Sequence, residues 1–280
     1  MLSIALGLAA ALCWGIHDLL VRRISGGLAE APAIIVVMLA GALFILPLAL
    51  ATGGWSLMGP RALAIAASAG LAYATGCVGL YRAFRIGPVK LVAPVIGAYP
   101  VLSLGGATLA GTTIGPGDWL SVLAITTGIA IVALLSDTSE GDGSRIAAIG
   151  WGALGAAGFA ATFALGQAAA RAGAELPTIL ATRLATAAFL AILATATGQR
   201  LASIRPQLPV LSGMALLDSL ALGLVIAAGT LPHPEFAAAA SAVFGIVTVL
   251  LARLLLAEPV SPKQWAAIAL VFAGVAALGL

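Results

Sequence analysis

Shifting the chain against itself by 146 residues lays Pro88, Pro116, Trp119 and Gly128 on Pro234, Pro262, Trp265 and Gly274, with no gap between the first pair and the last. At a shift of 145, Glu30 and Pro32 fall on Glu175 and Pro177. A tandem duplication limits the fold to two copies of one unit, and here both copies are apolar almost throughout. Of the 280 residues 62% are hydrophobic and only 8% charged, whereas a soluble domain carries about 25% charged residues. So little polar surface cannot cover a globule in water. The bilayer is therefore the expected solvent, and a duplicated multi-span unit is a common plan for proteins that work across it.

A helix needs about 20 apolar residues to span the hydrocarbon. Cutting at charged, Pro-rich and Gly-rich breaks gives ten such segments: 2–22, 31–51, 61–82, 88–110, 118–136, 146–168, 177–197, 208–230, 234–257 and 262–280. Joints as short as Thr230-Leu231-Pro232-His233 make neighbours antiparallel. The longest polar break, with Asp137, Glu140 and Asp142 among glycines, reads as a flexible linker over 137–145. Five spans precede it and five follow. Five is odd, so the second copy starts on the opposite side of the membrane. The expected fold is an all-α integral membrane protein of ten transmembrane helices in two inverted-topology repeats, 1–136 and 146–280. Residues 1–22 have no Lys or Arg before the apolar run and no small residue at a cleavage position, so they read as a retained first span.

Charge placement bears on orientation. The joints after odd-numbered spans hold Arg22, Arg23, Arg82, Arg85, Lys90, Arg145, Arg200, Arg205 and Lys263, against Arg61 and Arg171 in the others. The positive-inside rule then puts both termini outside. The net charge of +3 reflects these joints. No basic run has the length or aromatic interleaving of a nucleic-acid site. Cys13 and Cys77 sit in apolar stretches and read as small buried hydrophobes.

Few residues can carry chemistry. Asp218 lies in the middle of the eighth span, where a charge costs about 2.5–3.5 kcal/mol to insert. It reads equally as a proton or amine site and as a partner for Arg183 on the seventh span. Arg183 could instead bind a substrate carboxylate, although pairing is the simpler reading. His17 is a candidate proton carrier, since histidine titrates nearest neutrality. Asp18 is four residues from Trp14 and shares its face. It is also four from Arg22, which makes an ion pair near the boundary its plainer role. His17 points about 100° away from Asp18. Trp14, Tyr73, Tyr99, Phe159, Phe163 and Phe244 fall at cavity depth and suit an apolar substrate with a polar end. Trp55, Trp119, Trp151, Trp265 and Tyr81 read as interfacial anchors. Pro94 and Pro100 are expected to kink the fourth span and act as hinges, or to bend it statically for packing. Their equivalents Ala240 and Ile246 are not proline, which predicts that the fourth and ninth spans move differently. Gly150, Gly152, Gly155 and Gly158 read as a close-packing face.

Trp14-Gly15 in the first span, Gly87-Pro88 before the fourth, and the run Leu254 to Trp265 containing Glu258, followed by Gly274, are similar to the drug/metabolite transporter superfamily in its EamA-domain branch. The resemblance covers the whole chain, although Thr112 stands in the first copy where Glu258 stands in the second. It implies a secondary transporter, often an exporter of amino acids or other small metabolites. It also implies a central cavity lined by the first four helices of each repeat, with the fifth and tenth peripheral and the termini in the cytoplasm. The expected function is alternating-access transport of hydrophobic or aromatic amino acids, with an uncoupled facilitator or channel as the alternative. An intramembrane enzyme is disfavoured. There is no Gly-x-Ser-x-Gly, no His-Glu-x-x-His and no phosphate loop, and the only histidines are His17 and His233. No cofactor or metal is expected. The expected partners are a small-molecule substrate and the lipid bilayer, with no nucleic acid, in a monomer of the bacterial inner membrane.

Overall fold

The computed structural model describes residues 1–24, 29–135, 145–199, 201–256 and 260–277. Of the expected linker 137–145 only Arg145 is among them, and Arg200 and Glu258 lie outside them. The described residues form twelve α-helices, three short 3-10 turns and no strand. The helices are α1 (Leu2–Ile24), α2 (Glu30–Thr52), α3 (Pro60–Ile86), α4 (Val89–Ile96), α5 (Tyr99–Leu109), α6 (Pro116–Leu134), α7 (Arg145–Ala172), α8 (Glu175–Ala196), α9 (Leu208–Ala227), α10 (Pro234–Ser241), α11 (Phe244–Leu256) and α12 (Pro262–Ala277). Helices suit lipid because every backbone group is satisfied inside the segment. Pro60, Pro116, Pro234 and Pro262 each open a helix, where a missing N–H costs nothing. After α2 the chain reverses through Gly53 and Gly54, both at positive φ.

Seven helical stretches among the described residues are long and apolar enough to cross a membrane. The other three of the ten expected spans differ for separate reasons. Segment 118–136 corresponds to α6, whose apolar part Pro116–Val132 is slightly short. Segment 262–280 is described only to Ala277, so α12 has 16 residues. Segment 88–110 is divided into α4 and α5 by a turn at Gly97-Ala98, where the Ala98 N–H reaches back only three residues, to the Val95 carbonyl.

That turn breaks the span between Pro94 and Pro100, in the residues just before Pro100, which has no N–H to bond the Ile96 carbonyl. The side chain of Pro94 lies outside the described residues, and the backbone there remains helical. Pro100 sits in the first turn of α5, where it starts a helix rather than bending one. The equivalent span of the second copy, with Ala240 and Ile246 in place of those prolines, is also broken, between α10 and α11. There Ala242, Val243, Gly245 and Ile246 all bond three residues back. The two breaks fall within one residue of equivalence at the 146-residue offset.

The helices pack in reciprocal sets: α3 on α7 and α1 on α9, α3 on α8 and α2 on α9, α4 on α7 and α1 on α10, α5 on α7 and α1 on α11. α2 lies on α8, and α12 lies on α6 outside the rest. Glycines set the closest crossing. Gly76 and Gly79 of α3 face Gly155 and Gly158 of α7 so closely that a Cβ on Gly79 would lie 2.6 Å from the Gly155 nitrogen. Gly152 abuts Val95, but Gly150 faces open space and is not part of the packing face.

Candidate functional site

Asp218 of α9 and Arg183 of α8 form a buried ion pair, Nη1 to Oδ2 at 2.7 Å, with both side chains almost completely enclosed. The guanidinium is satisfied on every nitrogen. Nε donates to the Met38 carbonyl at 3.3 Å and Nη2 to the Val37 carbonyl at 2.9 Å. The other carboxylate oxygen, Oδ1, accepts the Trp14 indole N–H at 3.2 Å and the Tyr73 hydroxyl. An ion pair in low dielectric survives only with its remaining hydrogen-bonding capacity met, and here three further helices, α1, α2 and α3, meet it.

Gly41 of α2 makes the room. A Cβ there would overlap Arg183 Nη2 and Cζ and the Ser219 hydroxyl. Gly41→Ala is therefore expected to push the guanidinium off the α2 carbonyls and to cost about 1–3 kcal/mol, as overpacking does. Thermal unfolding in detergent checks this, and an unchanged melting temperature would contradict it.

The pair borders a cavity enclosed by helices of both halves. Trp14, His17, Tyr73 and Tyr99 line it from the first half, and Phe159, Phe163, Asp218 and Phe244 from the second. All eight expected substrate-contact residues thus come together. Arg183 does not line the cavity, and no lysine or arginine among the described residues does. The rings form one cluster. Trp14 lies 5.5 Å from Phe163, Tyr99 lies 5.2 Å from Phe163, and Tyr99 stacks on Phe244 at 6.3 Å. Tyr99 also hydrogen-bonds Ser241, joining the start of α5 to the end of α10 where the two broken spans face each other. The cavity is only about 20 Å³, room for roughly one water.

Cys77 and Leu80, which sequence reasoning missed, also line the cavity, as does Asp18, whose expected role was an ion pair with Arg22. Asp18 Oδ1 lies 3.3 Å from His17 Nδ1, so the two polar side chains meet instead of diverging. Adjacent residues can share a cavity because α1 is enclosed by α9, α10 and α11. The side chain of Arg22, the partner expected for Asp18, lies outside the described residues. Tyr81, expected at the interface, is instead buried. Trp55 and Trp265 are well exposed, and Trp151 stacks under Arg82 at 4.5 Å.

The two ends of the bundle differ. At the end holding the joints after odd-numbered spans, Glu30 binds Arg85 at 2.7 Å and Arg82 at 3.4 Å. The Ala31 N–H bonds Gln199 beside it at 3.2 Å. At the opposite end a vestibule of about 600 Å³ is lined by small apolar residues together with Gln167, Arg171, His233 and Glu235. His233 adopts a left-handed backbone there and pairs with Glu235 at 3.1 Å. Phe163 lines both the vestibule and the central cavity, so one ring separates them.

A family model described as the EamA-like transporter family matches residues 1–134 and 146–280. A solved structure, described as "Crystal structure of protein", superposes with a TM-score of 0.78 at 18% identity, covering 99% of this chain and 96% of that one. At that identity the likeness concerns the fold. No curated protein matches the chain.

Proposed function

Because the chain belongs to the EamA-like transporter family, we propose that it is a secondary carrier whose halves, 1–136 and 146–280 joined through 137–145, rock about the central cavity. The family is one of membrane transporters, not enzymes. The proposed cargo is a small, partly apolar metabolite, with hydrophobic or aromatic amino acids the first class to assay. The proposed direction is export from a bacterial cytoplasm. The observation that carries this reading is a mid-depth cavity walled by Trp14, Tyr99, Phe163 and Phe244 and contributed by both halves. Secondary carriers place their sites at such a repeat interface near the midplane.

Packing around that point supports ten spans in an inverted repeat. Met38 and Arg183 are 145 residues apart, as are Tyr73 and Asp218, and each pair is in contact. That spacing is the repeat offset. Residues on a two-fold axis meet their own equivalents, and contacts at mid-span are what an axis in the membrane plane gives. The reciprocal helix pairings and the matching breaks in both halves support it further.

The test is flux of labelled amino acids into proteoliposomes, with and without an imposed pH gradient. Saturable flux is expected. Its absence across the whole panel would overturn the amino-acid assignment, and non-saturating flux would favour the uncoupled channel.

The Glu30 cluster is proposed to close one end while the vestibule leaves the other accessible. Arg85 is half exposed and Glu30 buried, so releasing them is worth about 1 kcal/mol, a roughly five-fold change in population. In a Cys13→Ala background, Glu30→Gln is expected to speed labelling of cavity-lining Cys77 by about that factor. The reagent is an impermeant thiol probe applied from the Glu30 side. An unchanged rate would remove Glu30 from the closure.

A further inference from the structure

We propose that the central cavity recognises a primary ammonium group, held by Asp18 and His17, on an apolar or aromatic body, and that it has no receptor for a carboxylate. The inference takes from the carrier reading only what the site is for.

It follows from which polar atoms are already engaged. Asp218 accepts from Trp14, Tyr73 and Arg183. The Tyr99 hydroxyl is engaged with Ser241. Two lining atoms are left, Asp18 Oδ2 and His17 Nε2, both buried and without a hydrogen-bond partner. The side chains that carry them are 2% and 5% exposed. A buried polar group without a partner is costly, so a pair of them on one cavity wall calls for a ligand.

The chemistry of these atoms selects that ligand. The proposal takes Asp18 as ionised and His17 as neutral: the carboxylate then only accepts, and the contact at 3.3 Å places the imidazole proton on Nδ1. In the neutral ring Nε2 then carries a lone pair. Both open atoms are acceptors. A primary ammonium has three donors and no acceptor, and charge-assisted bonds to carboxylate are the strong class. Charge agrees with this. Arg183 cancels Asp218, which leaves the Asp18 carboxylate as the uncompensated charge on the wall. The rings of Trp14, Phe163 and Phe244 beside it can face a cation and enclose an apolar body.

A carboxylate finds nothing comparable. Arg183 spends its three nitrogens on Asp218, Met38 and Val37 and stays behind the wall. An acidic ligand would face Asp18 and Asp218 with no cation opposite. In the state described the cavity is too small for an organic ligand. Entry requires movement of Phe163, beyond which lies the vestibule of about 600 Å³.

Three probes with one body test this on the purified full chain by calorimetry: 2-phenylethylamine, phenylalanine and 3-phenylpropionate. The amine is expected to bind saturably and the zwitterion about ten-fold or more weaker, because its carboxylate is buried unpaired. The acid is expected not to bind. Asp18→Asn is expected to weaken the amine about ten-fold or more. If that variant does not fold, the wild-type panel decides alone. Phenylalanine binding tighter than the amine, any saturable binding of the acid, or no binding of the amine would overturn the proposal. The last result would leave the open atoms to an ordered water. Amino-acid flux without amine binding defeats this inference and spares the carrier reading. Amine binding without flux of any probe does the reverse.

Discussion

Asp218→Ala is expected to destabilise the folded protein by about 3–5 kcal/mol, because it leaves the Arg183 guanidinium buried among helices without a counter-ion. Arg183 has no exposed surface, and Asp218 is 3% exposed. Neither can turn to water when the other is lost. Arg183→Met is expected to cost less than Asp218→Ala, since an orphaned buried carboxylate can take up a proton and become neutral, which a guanidinium cannot. The double variant Arg183→Met/Asp218→Leu is expected to recover most of the loss, as apolar replacement of buried pairs commonly does. Unfolding midpoints of the four proteins in one detergent give the coupling directly. Additive losses would mean that the pair holds nothing together. Flux measured on the double variant then separates a structural pair from a working one. A stable double variant that transports would confine Asp218 to holding α8, α9 and α2 in place.

The parts of this site legible in the sequence were those whose residue type is out of place. Aromatic rings and a carboxylate at mid-span are few in so apolar a chain, and Trp14, Tyr73, Tyr99 and Asp218 stood out for that reason. Arg183 stood out likewise, and the ion pair was foreseeable from two opposite charges at similar depth. The contact between Asp18 and His17 is hidden from the helical wheel, which correctly places Asp18 beside Trp14. A rotation of 100° separates His17 from Asp18 on an isolated helix with a wet and a dry face, whereas α1 is packed on several sides. The break between α10 and α11 carried no proline and so no local mark. Its best sign was the repeat itself, since a break in 88–110 implied one near 243. Tyr73 contacting Asp218 was likewise encoded in the offset of 145, read at first only as evidence of duplication. The Glu30 cluster needed the third dimension, because nothing local ties Glu30 to Arg82 and Arg85.

The second large effect is expected at the α3–α7 crossing. A Cβ on Gly158 would run into the Gly76 backbone and come within 2.8 Å of the Ala72 carbonyl. Backbone cannot give way as a flexible side-chain end can. In lipid no hydrophobic force presses the helices together, so close packing itself holds the crossing. Gly158→Val therefore has to separate α3 from α7. It is expected to cost more than the roughly 3 kcal/mol at which ordinary overpacking tops out and to abolish recovery of folded protein. A Cβ on Gly150 of the same helix meets nothing within 4 Å, and Gly150→Val is expected to be recovered at wild-type yield. The contrast separates close packing from a general intolerance of bulk or β-branching in α7. The crossing also bears on the site, since Tyr73 and Cys77 on α3 and Phe159 on α7 flank the glycines and line the cavity. A milder Gly155→Ala, whose Cβ contacts are all 3.4 Å or longer, is expected to fold with little change in melting temperature. If Gly158→Val were recovered like Gly150→Val, the crossing would not be held by its glycines, and the cavity wall would owe its shape to α8 and α9 instead.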